Sequence, residues 1–340
     1  MEHLSFLIVA VVVAGLAFDF VNGFHDAANS IATIVATKVL KPRQAVLWAA
    51  FFNVVAVFFF GTGVAKMVGS GLVSLDSVTP VVVLCGLIGA TLWGIVTWRL
   101  GLPTSSSHAL LGGYAGAAMA NSAWHGGWHA LGDPIIAAGW IKVLAFIVIA
   151  PVIGLAMAHG AMKLLFALQK KYAFAPSDTS FMRLQLCSSA FLSLMHGSND
   201  AQKTAGIVAG ALTAGGVLSS FSIPGWVLVL SYGMMGLGTL FGGWRIVHTM
   251  GHRLTSLTSR GGVCAESSAA LAIFAATLFN LPISTTHVTT GAILGVGAAT
   301  DPRKVSWTIG RRIAWAWILT IPASAFVGGC VMLGAVTIGR

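Results

Sequence analysis

The stretch Asn22-Gly23-Phe24-His25-Asp26-Ala27 returns 174 residues later as His196-Gly197-Ser198-Asn199-Asp200-Ala201. A second motif, Leu102-Pro103-Thr104-Ser105-Ser106-Ser107-His108, returns at an offset of 179 as Leu281-Pro282-Ile283-Ser284-Thr285-Thr286-His287. Two unrelated polar motifs repeating at nearly one offset mark an internal duplication. The chain therefore divides into a first membrane repeat, 1–167, a polar cytoplasmic linker, 168–179, and a second repeat, 180–340.

The composition places both copies in a membrane. Of 340 residues 56% are hydrophobic and only 8% charged, far below a soluble domain. This excludes an ordinary soluble enzyme, a disordered chain and a nucleic-acid-binding module, despite a net charge of +10. Apolar segments run over about 4–37, 44–66, 78–98, 103–121, 135–167, 183–214, 224–245, 263–280, 282–300 and 313–338. Basic residues collect in alternate loops: Lys38, Lys41 and Arg43, then Arg99, Lys170 with Lys171, Arg245 with Arg253, and Arg303 with Lys304. The other loops are nearly bare, so ten crossings satisfy the positive-inside rule with both termini outside. The expected fold is an all-α polytopic membrane protein of ten to twelve segments. Five segments per copy invert the second relative to the first, and inverted repeats with discontinuous or re-entrant helices are the architecture of secondary transporters. Cys85, Cys187, Cys264 and Cys330 are scattered and carry no metal spacing.

The motifs then supply chemistry. Asp26 and Asp200 lie inside long apolar segments, where a carboxylate costs about 2.5–3.5 kcal/mol on insertion scales. Such a pair calls for cations, protons or helix termini. Gly23 and Gly197, three residues earlier, would permit an unwound turn that frees backbone carbonyls as cation ligands. Ser105, Ser106, Ser107 and Ser284, Thr285, Thr286 follow Pro103 and Pro282 at helix starts, where hydroxyls and free backbone N–H groups cradle an anion without using charge. The alternative is ordinary N-capping. His108 and His287 are equivalent and serve as fixed hydrogen-bond partners or proton carriers. Glu266 opens the eighth segment as a helix cap, a cation ligand or a gate. Lys203 stands where the first copy has Asn29. An Asn can ligate Na+, whereas an ammonium occupies that position itself. No GxSxG elbow, Walker loop or HExxH is present, which argues against an enzyme.

The doubled Gly-x-x-Asp-Ala motif and the doubled Leu-Pro-x-Ser-[Ser/Thr]-[Ser/Thr]-His motif resemble those of the inorganic phosphate transporter (PiT) family over essentially the whole chain. The resemblance implies a symporter moving phosphate, free or as a metal–phosphate complex, with H+ or Na+ as coupling ion and no other cofactor. By it, Ser105, Ser106, Ser107, Ser284, Thr285 and Thr286 hold the anion. Asp26, Asn29 and Asp200 hold a coupling cation such as Na+. Glu266 is accessory to them, Lys203 counts with the cation-coupling residues as a tethered ammonium in place of one of two cation sites, and Gly23, Gly197, Asn199, His108 and His287 are supporting residues. The pair Gln202-Lys203 departs from a symmetric two-Na+ pattern. The short linker resembles bacterial members, which sit in the inner membrane among lipid, often as homodimers and with a PhoU-like accessory protein. Two other readings stay open: a sulfate permease of the same fold, and an anion channel.

Overall fold

A computed structural model describes residues 2–172 and 177–338. These residues form twelve α-helices, joined by short turns. Each expected segment coincides with a helix or a bent helix pair. Helix α1 spans Glu2–Ala36, α2 Pro42–Val55, α3 Gly63–Ser70, α4 Pro80–Arg99, α5 Ser106–Gly126 and α6 Ala137–Tyr172. The second half repeats the series with α7 Asp178–Ala214, α8 Gly225–Phe241, α9 Trp244–His248, α10 Ser259–Leu278, α11 Thr285–Thr300 and α12 Trp307–Ile338. The linker is shorter than expected. Helix α6 continues to Tyr172 and α7 starts at Asp178, and residues 173–176 lie outside the described residues.

Five helices are long and apolar enough to cross a membrane, or seven if each bent pair counts as one span. Helices α5, α7 and α11 are not among them. Polar residues lower the hydropathy of α5 and α7, α11 is short at 16 residues, and the polar residues of all three build the site described below. The continuous helix α1 has 35 residues. At 1.5 Å per residue it is about 50 Å long, well beyond a 30 Å hydrocarbon core, so it tilts or projects.

Helix α1 and its copy α7 run antiparallel. Ile8 meets Gly215, Gly15 meets Val208, Ser30 meets His196 and Thr37 meets Gln185. The inversion inferred from the odd number of segments is thus a direct packing relation. Helix α5 packs on α12, with Gly112 against Ile321 and Gly116 against Ala325. Its copy α11 packs on α6, with Gly291 against Pro151 and Gly295 against Leu155. Each of these short site helices therefore leans on the closing helix of the other half.

The discontinuities fall elsewhere than expected. Both α1 and α7 run unbroken through Gly23 and Gly197. These glycines serve close packing instead: a Cβ on Gly23 would strike the Met235 carbonyl, and one on Gly197 the Asn53 backbone. No carbonyl is freed there. The actual bends are 84° between Pro42–Phe58 and Gly63–Ser70, and 64° between Gly225–Phe241 and Trp244–Arg253. Gly242, at φ +65°, allows the second bend by adopting the left-handed conformation. Non-helical turns also precede α5 and α11. There Gly101 and its counterpart Asn280 both have positive φ.

Replacing Gly23 or Gly197 with Val should lower stability by about 1–3 kcal/mol or more through overpacking. Gly334→Ala, in open space, should leave it unchanged. Thermal unfolding of the detergent-solubilised protein distinguishes these outcomes.

Candidate functional site

The site is built where α5 and α11 begin. Ser105 Oγ accepts from the His108 backbone N–H at 3.1 Å, and Ser284 Oγ accepts from that of His287 at 3.2 Å. The first hydroxyl of each run thus accepts an N-capping bond, and Ser106, Ser107, Thr285 and Thr286 are the remaining hydroxyls of the expected cradle. The two helix starts face each other, with the His108 and His287 rings edge to face at a centroid separation of 4.8 Å. His287 also stacks on Trp317 at 4.1 Å, and the Trp317 indole donates to the Pro103 carbonyl at 2.9 Å. These contacts give the paired histidines a fixed, packed position behind the helix starts.

Asp26 and Asp200 approach this cradle from the middle of α1 and α7, and both are buried. The connections cross over. Ser107 of α5 donates to Asp200 Oδ1 at 3.4 Å, and Thr286 of α11 donates to Asp26 Oδ2 at the same distance. Thr285 donates to Asp200 Oδ2 at 2.9 Å. Asn29 donates to Thr286 Oγ1 at 2.9 Å and to Thr285 Oγ1 at 3.4 Å, so its amide braces both hydroxyls. Lys203 Nζ lies 2.6 Å from Asp200 Oδ1, and at the same distance from Ser107 Oγ and the Ile283 carbonyl. Asp26, Asp200, Asn29, Lys203 and the hydroxyls of Ser107, Thr285 and Thr286 thus form one buried cluster spanning both halves.

Two residues belong to this cluster that the motif reading left aside. His25 Nδ1 lies 2.6 Å from Asp26 Oδ1, and its Nε2 lies 3.2 Å from Thr97 Oγ1. His196 Nε2 lies 3.1 Å from Asp200 Oδ2. Asp26, His196 and Asp200 offer ligand atoms within 4.8 Å of one another. The spacing His196-x-x-x-Asp200, one helical turn, was the available signal. Asn199 holds the equivalent of the His25 position. It donates to Thr277 Oγ1 at 3.1 Å and to the Leu281 carbonyl at 3.2 Å. Asn199 is thus a bracket between α7 and α10, turned towards those partners.

Glu266 stands apart. Helix α10 begins at Ser259 and is capped by Thr258, so Glu266 lies two turns inside it and does not cap it. Its carboxylate is buried and accepts from Thr33 at 2.6 Å, Gln185 at 2.8 Å and Ser188 at 2.5 Å. These donors come from α1 and α7, so Glu266 ties α10 to both motif helices, about two turns along α1 from Asp26. Asp19 is also fully buried, near Thr204 and Ser231, outside the cluster.

A polytopic bundle with antiparallel motif helices, and hydroxyl-lined helix starts against buried carboxylates, defines a membrane carrier of small anions. The phosphate transporter family model matches residues 22–328. The chain belongs to that family, whose members are transporters and not enzymes. It is 46% identical over 333 residues to a protein of Rhizobium meliloti (strain 1021) named "Probable low-affinity inorganic phosphate transporter", covering 97% of this chain and 96% of that one. A protein of Bacillus subtilis (strain 168) with the same name is 41% identical, covering 96% of this chain and 97% of that one. Among solved structures, a sodium-dependent phosphate transporter superposes with a TM-score of 0.84 at 24% identity, covering 98% of this chain and 99% of that one. At that identity the likeness speaks to the fold.

Glu266→Ala should destabilise the protein by about 3 kcal/mol, because it leaves buried donors on α1 and α7 without an acceptor. Glu266→Gln, nearly isosteric, should lose less. Thermal unfolding of both variants checks the order.

Proposed function

We propose that the chain is a symporter of inorganic phosphate, held between Ser106, Ser107, Thr285 and Thr286 and carried with Na+ or H+ at Asp26 and Asp200. One observation carries this reading. Three of the four hydroxyls that would hold the anion, those of Ser107, Thr285 and Thr286, are hydrogen-bonded to the two buried aspartates. Anion and carboxylates therefore compete for the same donors at contact distance. In a low-dielectric interior two like charges that close repel strongly. Phosphate is admitted only when positive charge arrives with it, and that is the physical content of coupling.

The residues fit either coupling ion. Asn29 Oδ1 is buried without a hydrogen-bond partner, and with the oxygens of Asp26 and Asp200 it suits a hard cation such as Na+. Sodium dependence belongs to the solved structure that shares the fold. His25 and His196, against the two aspartates, suit proton carriage. Phosphate at neutral pH keeps a proton and can donate to a carboxylate, which sulfate cannot do. This favours phosphate over the sulfate reading. The carboxylates at the cradle likewise favour a coupled carrier over a channel. Alternating access follows from the inversion, since the antiparallel α1 and α7 can exchange roles in facing either side of the membrane. The alternation of basic and bare loops supports a linker facing the cytoplasm and chain ends facing outside.

Purified protein in liposomes should accumulate labelled phosphate against its gradient when an inward Na+ or H+ gradient is imposed, with each ion varied separately. A ten-fold excess of sulfate should leave uptake nearly unchanged. Asp26→Asn should abolish gradient-driven uptake while the unfolding profile persists; Asp200→Asn should also abolish it, and should lower stability as well because it leaves the buried Lys203 ammonium without its carboxylate. Full uptake in both variants would sink the coupling mechanism. For orientation, a membrane-impermeant thiol reagent should label a cysteine at Ser177 only from the cytoplasmic side.

A further inference from the structure

The two copies of the motif are equivalent in geometry and unequal in charge. By register, Asp200, Ser107 and Ile283 correspond to Asp26, Thr286 and Thr104, and Lys203 corresponds to Asn29. The shared geometry is visible in matching contacts. Ser107 reaches Asp200 and Thr286 reaches Asp26 at the same 3.4 Å. The residues differ at one ion-sized position. In the second copy an ammonium fills it, and the three acceptors at 2.6 Å are a carboxylate oxygen, a hydroxyl oxygen and a backbone carbonyl. An ammonium has three N–H donors and no acceptor, so its hydrogen-bonding capacity is fully used. That mixed oxygen set is what a hard monovalent cation would take. In the first copy the corresponding residue is Asn29, which offers a buried, unpartnered oxygen and no charge.

We infer that Lys203 is a tethered substitute for a transported cation, permanently occupying one of two pseudo-symmetric cation positions, so that each phosphate is accompanied by one fewer mobile cation than the doubled motif would otherwise require. The inference rests on the phosphate symport reading above. The fixed ammonium neutralises Asp200 whether or not anion is present. It also abuts the cradle through Ser107, so the anion meets one positive charge that never leaves. The mobile cation is left to the Asp26–Asn29 side.

The test compares wild type with Lys203→Asn in liposomes at clamped zero membrane potential. The limiting phosphate accumulation ratio is read under a ten-fold inward Na+ gradient. One added Na+ per phosphate should raise that ratio by about ten-fold in Lys203→Asn. An unchanged ratio in an accumulating variant overturns the inference, because this limit depends on stoichiometry and not on rate. A second arm needs no transport. Lys203→Ala should unfold at a lower temperature than wild type, and methylammonium should move it back towards wild type by refilling the oxygen nest. Tetramethylammonium at equal concentration, which has no N–H donor, should not. An equal response to both amines, or none to either, overturns the inference. Absence of phosphate uptake by wild type would instead strike the symport reading, and the methylammonium arm would still decide the role of Lys203.

Discussion

Two carboxylates sit in the middle of an apolar bundle, and the arrangement of the helices around them follows from that. An isolated buried charge is costly enough that proteins pair it or neutralise it. Asp26 and Asp200 draw their partners from α1, α5, α7 and α11, and these helices converge because the carboxylates need donors from all of them. The same requirement explains why α7 is too polar to register as a membrane span on its own. Its inward face is spent on His196, Asp200 and Lys203, and it is kept in the membrane by the apolar helices that surround it. Small residues let those helices approach closely enough for side-chain hydroxyls to reach across.

Much of this was legible in the sequence, because a polar residue inside an apolar run has few possible explanations. The repeated aspartates, the hydroxyl runs after proline and the Asn29–Lys203 mismatch all gather in one cluster. What escaped the reading depends on contacts distant in sequence. A glycine that admits a neighbouring backbone looks the same as a glycine that breaks a helix, and only Met235 and Asn53 reveal Gly23 and Gly197 as the former. The true bends lie in the uniformly apolar stretches around Gly61 and Gly242, where periodicity carries no signal. Glu266 has partners 78 to 233 residues away, so its role as a tie between helices could not be read from its own neighbourhood. His196 was readable by helical spacing. His25 was not, because its contact is with its immediate neighbour, a relation that helical spacing does not suggest.

The duplication keeps backbone relations and lets chemistry drift. Helix starts, capping serines, the facing histidines and the crossed hydroxyl–carboxylate contacts are preserved between halves. The groups that set charge are not: His25 corresponds to Asn199, and Asn29 to Lys203. An inverted pair needs matching shapes to rock between two openings, but it does not need matching ions. Separating these two demands allows a symmetric machine to hold an asymmetric load.

The exchange of closing helices has a consequence for how the molecule is made. Helix α5, which opens one side of the cradle, packs on α12, the last helix among the described residues. During synthesis α5 precedes α12, so the hydroxyl-bearing helix of the first half waits for a support that the second half supplies. A partly built chain therefore has no assembled cradle.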